Sequence, residues 1–186
     1  MSTSKVSICN AALAKIGAEP IASLDEDTKR ARFAAAAYDP LLAEVLAEHA
    51  WPFALARASL ARLADAPLYG FAFAYQLPTD FIALVDTSAG PGLAYQIEGR
   101  QLLTDAETVM LRYVRRIADP ALFHPAFADL LSTRLAAELA LAITRKSSDY
   151  EAAMTLYRAR LAEVRGIASG SQGAAQDIAP YWTKGR

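Results

Sequence analysis

Cysteine is almost absent. Cys9 is the only one in 186 residues, so no disulfide can form within the chain, which fits a reducing compartment. Histidine is nearly as scarce, with His49 and His124 in different segments. A zinc site needs three or four ligands at workable spacing, and one cysteine with two scattered histidines does not supply them. Both histidines are expected at helix ends, and Cys9 on the apolar face of the first helix. An excess of charge is missing too. Lys+Arg 19 against Asp+Glu 20 gives a formal net charge of −1, which argues against tight, charge-driven binding of nucleic acid. No run approaches the ~18 uninterrupted apolar residues of a membrane span. Residues 2–5 lead into an amphipathic helix, without the apolar core of a signal peptide. The expectation is a soluble protein made in a cytoplasm. Neither GxSxG, a P-loop nor GxGxxG occurs, and no cofactor or metal is expected.

What is present is apolar and rich in alanine. The hydrophobic share of 54% excludes wholesale disorder, and the length fits one domain with a single core. Alanine-rich helices bury little area per residue, so partner surfaces are expected to supply part of the stability.

Val6, Cys9, Leu13 and Ile16 recur at helical spacing, and Gly17 can close that helix in the left-handed conformation. Asp25 or Asp27 can cap a second helix, which carries Ala31, Ala34, Ala35, Tyr38, Leu42, Val45 and Leu46 inward. Pro40 should bend that helix or split it. Trp51-Pro52-Phe53-Ala54 changes the chain direction, and a short helix is predicted through Arg62. Phe71, Phe73 and Tyr75 alternate as a short edge strand would, and residues 81–85 read as another strand.

Residues 94–116 form the clearest period-two island. Tyr95 and Ile97 point one way while Gln96 and Glu98 point the other. Gly99 supplies a hairpin turn, residues 101–104 pair back, and Asp105-Ala106-Glu107 makes a second reversal. Val109, Leu111 and Tyr113 then share one face of a third strand. A long helix over about 125–145 steps through Phe127, Leu131, Leu135, Leu139 and Ile143. A turn at 146–149 returns a last helix antiparallel to it, with Tyr150, Met154, Tyr157, Leu161 and Val164 facing the core.

The predicted fold class is α+β, mostly α: an antiparallel helical bundle, with an inserted small antiparallel β-meander and an extended C-terminal arm. Helices span about 5–64 and 120–168, and the meander about 71–116. Residues 1–168 form a single domain. Residues 169–186 form a flexible docking arm, because SGSQGAAQD is too polar and Gly-rich to fold alone. The arm ends with Tyr181, Trp182, Lys184 and Arg186, residue types that carry binding energy in desolvated pockets.

Candidate chemistry is thin. Asp25-Glu26-Asp27 lacks further oxygen ligands at loop spacing and reads as a helix cap. Glu98 with Asp105 and Glu107 could be posed as a carboxylate pair for glycan hydrolysis, but spacing alone does not establish the ~5–10 Å separation that chemistry needs. Arg112, Arg115 and Arg116 concentrate positive charge at the end of the meander, and Arg57 and Arg62 add to it. They form a solvated face or meet acidic neighbours across a subunit contact.

Several segments, in order, resemble the tail tubular protein A family, the head–tail adaptors of short-tailed bacteriophages and related gene-transfer particles. They are Asn10-Ala11-Ala12-Leu13 with Ile16-Gly17, then residues 34–46 leading into His49-Ala50-Trp51-Pro52-Phe53-Ala54. Tyr75-Gln76-Leu77-Pro78-Thr79-Asp80-Phe81 and Ile97-Glu98-Gly99-Arg100 follow. Asp119-Pro120, residues 123–127, residues 135–140 and Ile143-Thr144 complete the set. Pro52 departs from the pattern, since the family usually places a polar residue there.

The resemblance implies a structural adaptor, not an enzyme. Twelve subunits would form a ring beneath the portal vertex, extend the DNA channel and present a surface to the next tail component, a stopper or nozzle. Double-stranded DNA would pass through the lumen without sequence-specific binding, and no membrane is involved. Assembly would take place in the bacterial cytoplasm, with the protein finally at the head–tail junction of a virion or phage-like particle. Tyr181, Trp182, Lys184 and Arg186 would dock on the portal protein. Glu98, Arg100, Arg115 and Arg116 would contact a neighbouring subunit or the tail-side partner. The rival readings are a helical ligand-binding or regulatory protein and a cell-wall glycan hydrolase.

Overall fold

Ser4 sets the start of the first helix. Its Oγ accepts from the Ser7 N–H at 3.1 Å while its own N–H donates to Ser7 Oγ at 2.9 Å, a reciprocal cap. Helix α1 (Lys5–Lys15) closes at Gly17, whose φ of 68° is the left-handed value expected there. The structure is a computed structural model and describes residues 3–88 and 92–171. These divide into two compact units, one of residues 3–45 and 117–171, the other of residues 46–116.

The first unit is helical. Helix α2 (Lys29–Ala47) is capped by Thr28, whose Oγ1 accepts from the Ala31 N–H at 3.2 Å. Neither Asp25 nor Asp27 takes that place. Glu26 instead folds back onto the N–H groups of Ala22 and Ser23, and Asp27 pairs with Arg32 at 2.6 Å. Pro40 lies inside one continuous helix, so the expected split does not occur. The buried stripe of Ala34, Tyr38, Leu41, Leu42 and Val45 runs past Pro40 on both sides, and that burial outweighs one missing backbone bond.

Helix α3 (Pro125–Ile143) is the spine of this unit. His124 caps it, Nδ1 accepting from the Ala126 N–H at 3.3 Å, and Pro125 occupies the first turn where its missing N–H costs nothing. Phe127, Leu130, Leu131, Leu135, Ala136, Ala137 and Leu139 are all buried, so more than one stripe of this helix is covered. Asp129 on α3 reaches Lys15 at 2.8 Å and Arg160 at 3.9 Å. Helix α4 (Ser147–Ser171) follows a short turn through Arg145, which takes a positive φ of 58°. It returns along α3 and buries Tyr157 and Leu161. Its backbone stays helical to Ser171, past the residue where the arm was expected to begin.

The second unit overturns the expected fold class. Among the described residues, seven strands build two antiparallel sheets here, rather than a helical bundle carrying a small meander. After a 3₁₀ turn at Pro52–Ala54, residues predicted as helix form β1 (Leu55–Ser59) and β2 (Ala61–Arg62). The remaining strands are β3 (Phe73–Gln76), β4 (Phe81–Thr87), β5 (Tyr95–Glu98), β6 (Gln101–Thr104) and β7 (Met110–Arg115). One sheet has the order β1-β7-β4, the other β2-β3-β6-β5. At Leu60 the chain passes from one sheet to the other, its N–H donating to Val109 O at 2.9 Å.

The physical reason for the helix-to-strand error lies in residues 55–62. Leu, Ala and Arg favour helix when isolated, but Ala56, Ala58 and Leu60 also alternate, and all three pack on the sheet core. A paired partner strand decides such a segment; β7 supplies it for β1 and β3 for β2. The predicted meander fails for a related reason. β5 and β6 do form the hairpin, with Gly99 at φ 56°, but β6 has β3 on its other edge. No edge of β6 remains for β7, which crosses to the opposite sheet and lies between β1 and β4. β3 is likewise flanked on both sides and is not an edge strand. Tyr75, Leu77, Leu84, Leu102, Val109, Leu111 and Tyr113 make the core that both sheets share.

Candidate functional site

The turn from β3 to β4 gathers most of the described residues expected to make contacts. Arg100, just past the hairpin glycine, donates from its guanidinium to the Pro78 carbonyl. The Arg100 carbonyl accepts from Leu77 N–H and from Gln76 Nε2, both at 3.0 Å. On the other side of the turn, Arg116 N–H donates to the Asp80 carbonyl at 2.7 Å, and Arg115 is paired in register with Phe81. The hairpin tip and the end of β7 therefore meet the same four-residue turn, 77–80. Asp80 anchors it from beneath, accepting from the Tyr113 hydroxyl at 3.0 Å. Burial, with that hydrogen bond and the Asp80 charge, raises the Tyr113 pKa above its usual value.

Arg100, Arg115 and Arg116 are exposed at this edge, and none of them forms an ion pair among the described residues. Glu98 is exposed on the same hairpin, where its carboxylate accepts from Gln96 Nε2 at 2.9 Å. The arrangement is a rigid backbone corner with mobile-length charged side chains on its rim. Such a corner can recognise an acidic or mixed-charge surface. Tyr181, Trp182, Lys184 and Arg186 lie outside the described residues.

The carboxylates posed for hydrolysis are used otherwise. Asp105 Oδ1 accepts from the Ala72 N–H at 2.8 Å and closes the loop before β3. Glu107 is exposed in the crossover between sheets. Among the described residues, no three His, Cys, Asp or Glu side chains come close enough to hold a metal ion. His49 sits just past α2 with its ring edge-on to Trp51 at 5.2 Å. Cys9 is fully buried, and burial pushes its thiol from 9.0 up to about 11. None of the described helices is long and apolar enough to cross a membrane.

Two features go further than the sequence reading, which took residues 67–70 as a loop and nothing more. The loop joining β2 to β3 carries Leu68 at 101% exposure and Tyr69 at 88%, values that leave both side chains with almost no contact. Pro67 and Gly70 on either side were the available signal, since they mark a loop and not a buried strand. The other is Arg134 on α3, whose guanidinium holds Glu44 of α2 through bonds of 2.9 and 3.3 Å and reaches Glu138 at 3.4 Å. Burial works to lower its pKa, but the Glu44 and Glu138 interactions outweigh that and raise it. A groove of about 460 Å³ runs beside this clamp, lined by Phe33, Ala37, Pro40 and Leu41 from α2.

No protein-family model matches the chain, and no curated protein is significantly similar to it.

Proposed function

We propose that this chain is a structural head–tail adaptor that joins a portal-bearing capsid to the tail and extends its DNA channel. The observation that carries the reading is where the family-like residues stand in the fold. Asn10 locks the α1–α2 connector through both its amide oxygen and nitrogen, each 2.8 Å from Ile21. Trp51-Pro52-Phe53 makes the 3₁₀ corner that leads into β1. Pro78 and Asp80 form the turn held by Arg100 and Arg116, and Gly99 makes the hairpin. These residues fix corners of a scaffold, and the described side chains that could do chemistry are committed to loops or exposed singly. That pattern suits a protein whose work is contact.

In this reading the rim formed by Glu98, Arg100, Arg115 and Arg116 meets a neighbouring subunit or the tail-side partner, and Tyr181, Trp182, Lys184 and Arg186 dock on the portal protein. Twelve copies form the ring on the portal template, and the free chain is monomeric or weakly associated. A net charge of −1 suits a conduit, because phosphate contacts that held DNA tightly would oppose its passage. The test is co-sedimentation with the portal protein that this reading requires in the same genome, using the full chain and a version ending at Ser171. The full chain should travel with the portal, and the shortened one should keep its helicity and stay behind. Equal co-sedimentation of both would remove the docking assignment, and failure of the full chain would remove the adaptor reading.

A further inference from the structure

The loop joining β2 to β3 is built to project. Its base is held at both ends: Leu63 N–H donates to Ala74 O at 2.8 Å, and Ala72 N–H donates to Asp105 Oδ1 at 2.8 Å. Residues 64–71 run between those anchors, so their midpoint can stand at most about 14 Å from the base. Pro67 fixes one φ near the tip, and Gly70 turns the chain back with φ 90°. Leu68 and Tyr69 stand at that tip, the most exposed large apolar side chains among the described residues. Leaving them in water is unfavourable, and contact with a second surface relieves it.

The groove beside the Arg134 clamp has the complementary character. Phe33, Ala36, Pro40 and Leu41 of α2 line it with apolar surface, and Glu44 follows one helical turn beyond Pro40. Two carboxylates share the one guanidinium there: Glu44 accepts from Arg134 at 2.9 and 3.3 Å, and Glu138 at 3.4 Å. The cluster carries one net negative charge and both carboxylates are exposed, so each keeps oxygen lone pairs for a further donor. The groove therefore suits a body that is apolar with a hydrogen-donating tip, the character of a tyrosine side chain. At about 460 Å³ it is of the size that takes a bulky apolar group.

We propose that Leu68 and Tyr69 of one copy seat in this groove on a second copy of the chain, with the Tyr69 hydroxyl donating to the Glu44 or Glu138 carboxylate. Knob and groove are different surfaces of the same chain, so the contact is head-to-tail and passes from copy to copy. A rotation that closes turns such a series into a ring. The contact supplies the subunit interface that the adaptor reading requires, and rests on that reading only for the number of copies. Two side chains in one groove make a small interface of the weak, transient class. The free chain therefore associates only at high concentration, and a template that lines neighbours up raises their effective concentration.

The test needs no portal, so its outcome is separate from that of the adaptor reading. Two full-length variants divide the contact: Leu68→Ser with Tyr69→Ser removes the knob, and Ala36→Glu sets a charged side chain across the groove. All three positions are exposed, so both variants keep the fold. Isotope-labelled knobless chain is titrated with unlabelled groove-blocked chain to about 1 mM while amide resonances are followed. Progressive shifts are expected at Phe33, Ala36, Ala37, Leu41 and Glu44, and the complex should stop at a pair, because each partner keeps one working half. Knobless chain titrated with itself should bind at least about tenfold more weakly. A further titration uses groove-blocked chain ending at Ser171. The same shifts assign the loop as occupant, whereas their loss assigns the groove to the C-terminal arm and overturns the proposal. Absence of shifts along α2 up to about 1 mM, or equal shifts when knobless chain is titrated with itself, would overturn it as well.

Discussion

Replacing Asn10 by alanine should destabilise the helical unit far more than its partly buried position suggests. The Asn10 amide makes two hydrogen bonds of 2.8 Å to one backbone residue, accepting from Ile21 N–H and donating to Ile21 C=O. Ile21 is only 3% exposed, so water cannot take over both backbone groups without opening the connector. Each bond contributes about 1 kcal/mol net, and a buried group left unpaired costs about 1–3 kcal/mol. Partial access of water lowers the sum, giving an expected loss of about 2–3 kcal/mol for Asn10→Ala. For a chain of this size that lowers the midpoint by about 4–12 °C. Thermal and urea unfolding followed by far-UV circular dichroism reads the helices directly. Asn10→Asp offers an internal control, because it keeps an acceptor for the N–H but sets a carboxylate against the Ile21 carbonyl. It should be no more stable than Asn10→Ala at neutral pH. A loss below about 0.5 kcal/mol for Asn10→Ala, the range of an ordinary surface change, would refute the role assigned to this residue.

Tyr38 is 1% exposed and its hydroxyl has no hydrogen-bond partner among the described residues, so Tyr38→Phe should be neutral or stabilising by up to about 1 kcal/mol in urea unfolding. A loss above 1 kcal/mol would reveal a partner for that hydroxyl. The Cys9 thiol, raised by burial from 9.0 to about 11, and the raised Tyr38 phenol both favour their neutral forms in the folded chain. Their contribution is complete below pH 9 and is lost as pH rises through the folded values, so stability should fall above pH 9. Unfolding midpoints between pH 7 and 11 check this, and Cys9 should react with a thiol reagent only after unfolding. Gly99 has φ 56° with open space around its Cα, so Gly99→Val should cost about 1–2 kcal/mol from backbone strain alone. Gly99→Asn should cost less, and equal losses for the two would argue against the strain.

The sequence was most legible where structure is local. Gly99 between two alternating segments identified the hairpin, and the four-residue steps from Phe127 to Leu139 identified α3. The Gly17 close and the helix-end positions of His49 and His124 were equally local signals. What failed was pairing at a distance. Residues 55–62 have the composition of a helix, and only pairing elsewhere in the chain makes them strands: β7, some fifty positions on, for β1, and β3 for β2. Nothing near Asp105-Ala106-Glu107 says that both edges of β6 are already occupied. The same distance hid the Asp86–Arg112 pair and the joint grip of Arg100 and Arg116 on the β3–β4 turn.

The central claim is that this chain builds a ring on a portal. Mass photometry of the portal protein that this reading requires in the same genome, measured alone and with this chain, tests it most directly. The account predicts a discrete increase of about 240 kDa, twelve copies of a 20.0 kDa chain, while the free chain stays at one or a few copies. A portal mass unchanged by micromolar chain would contradict it.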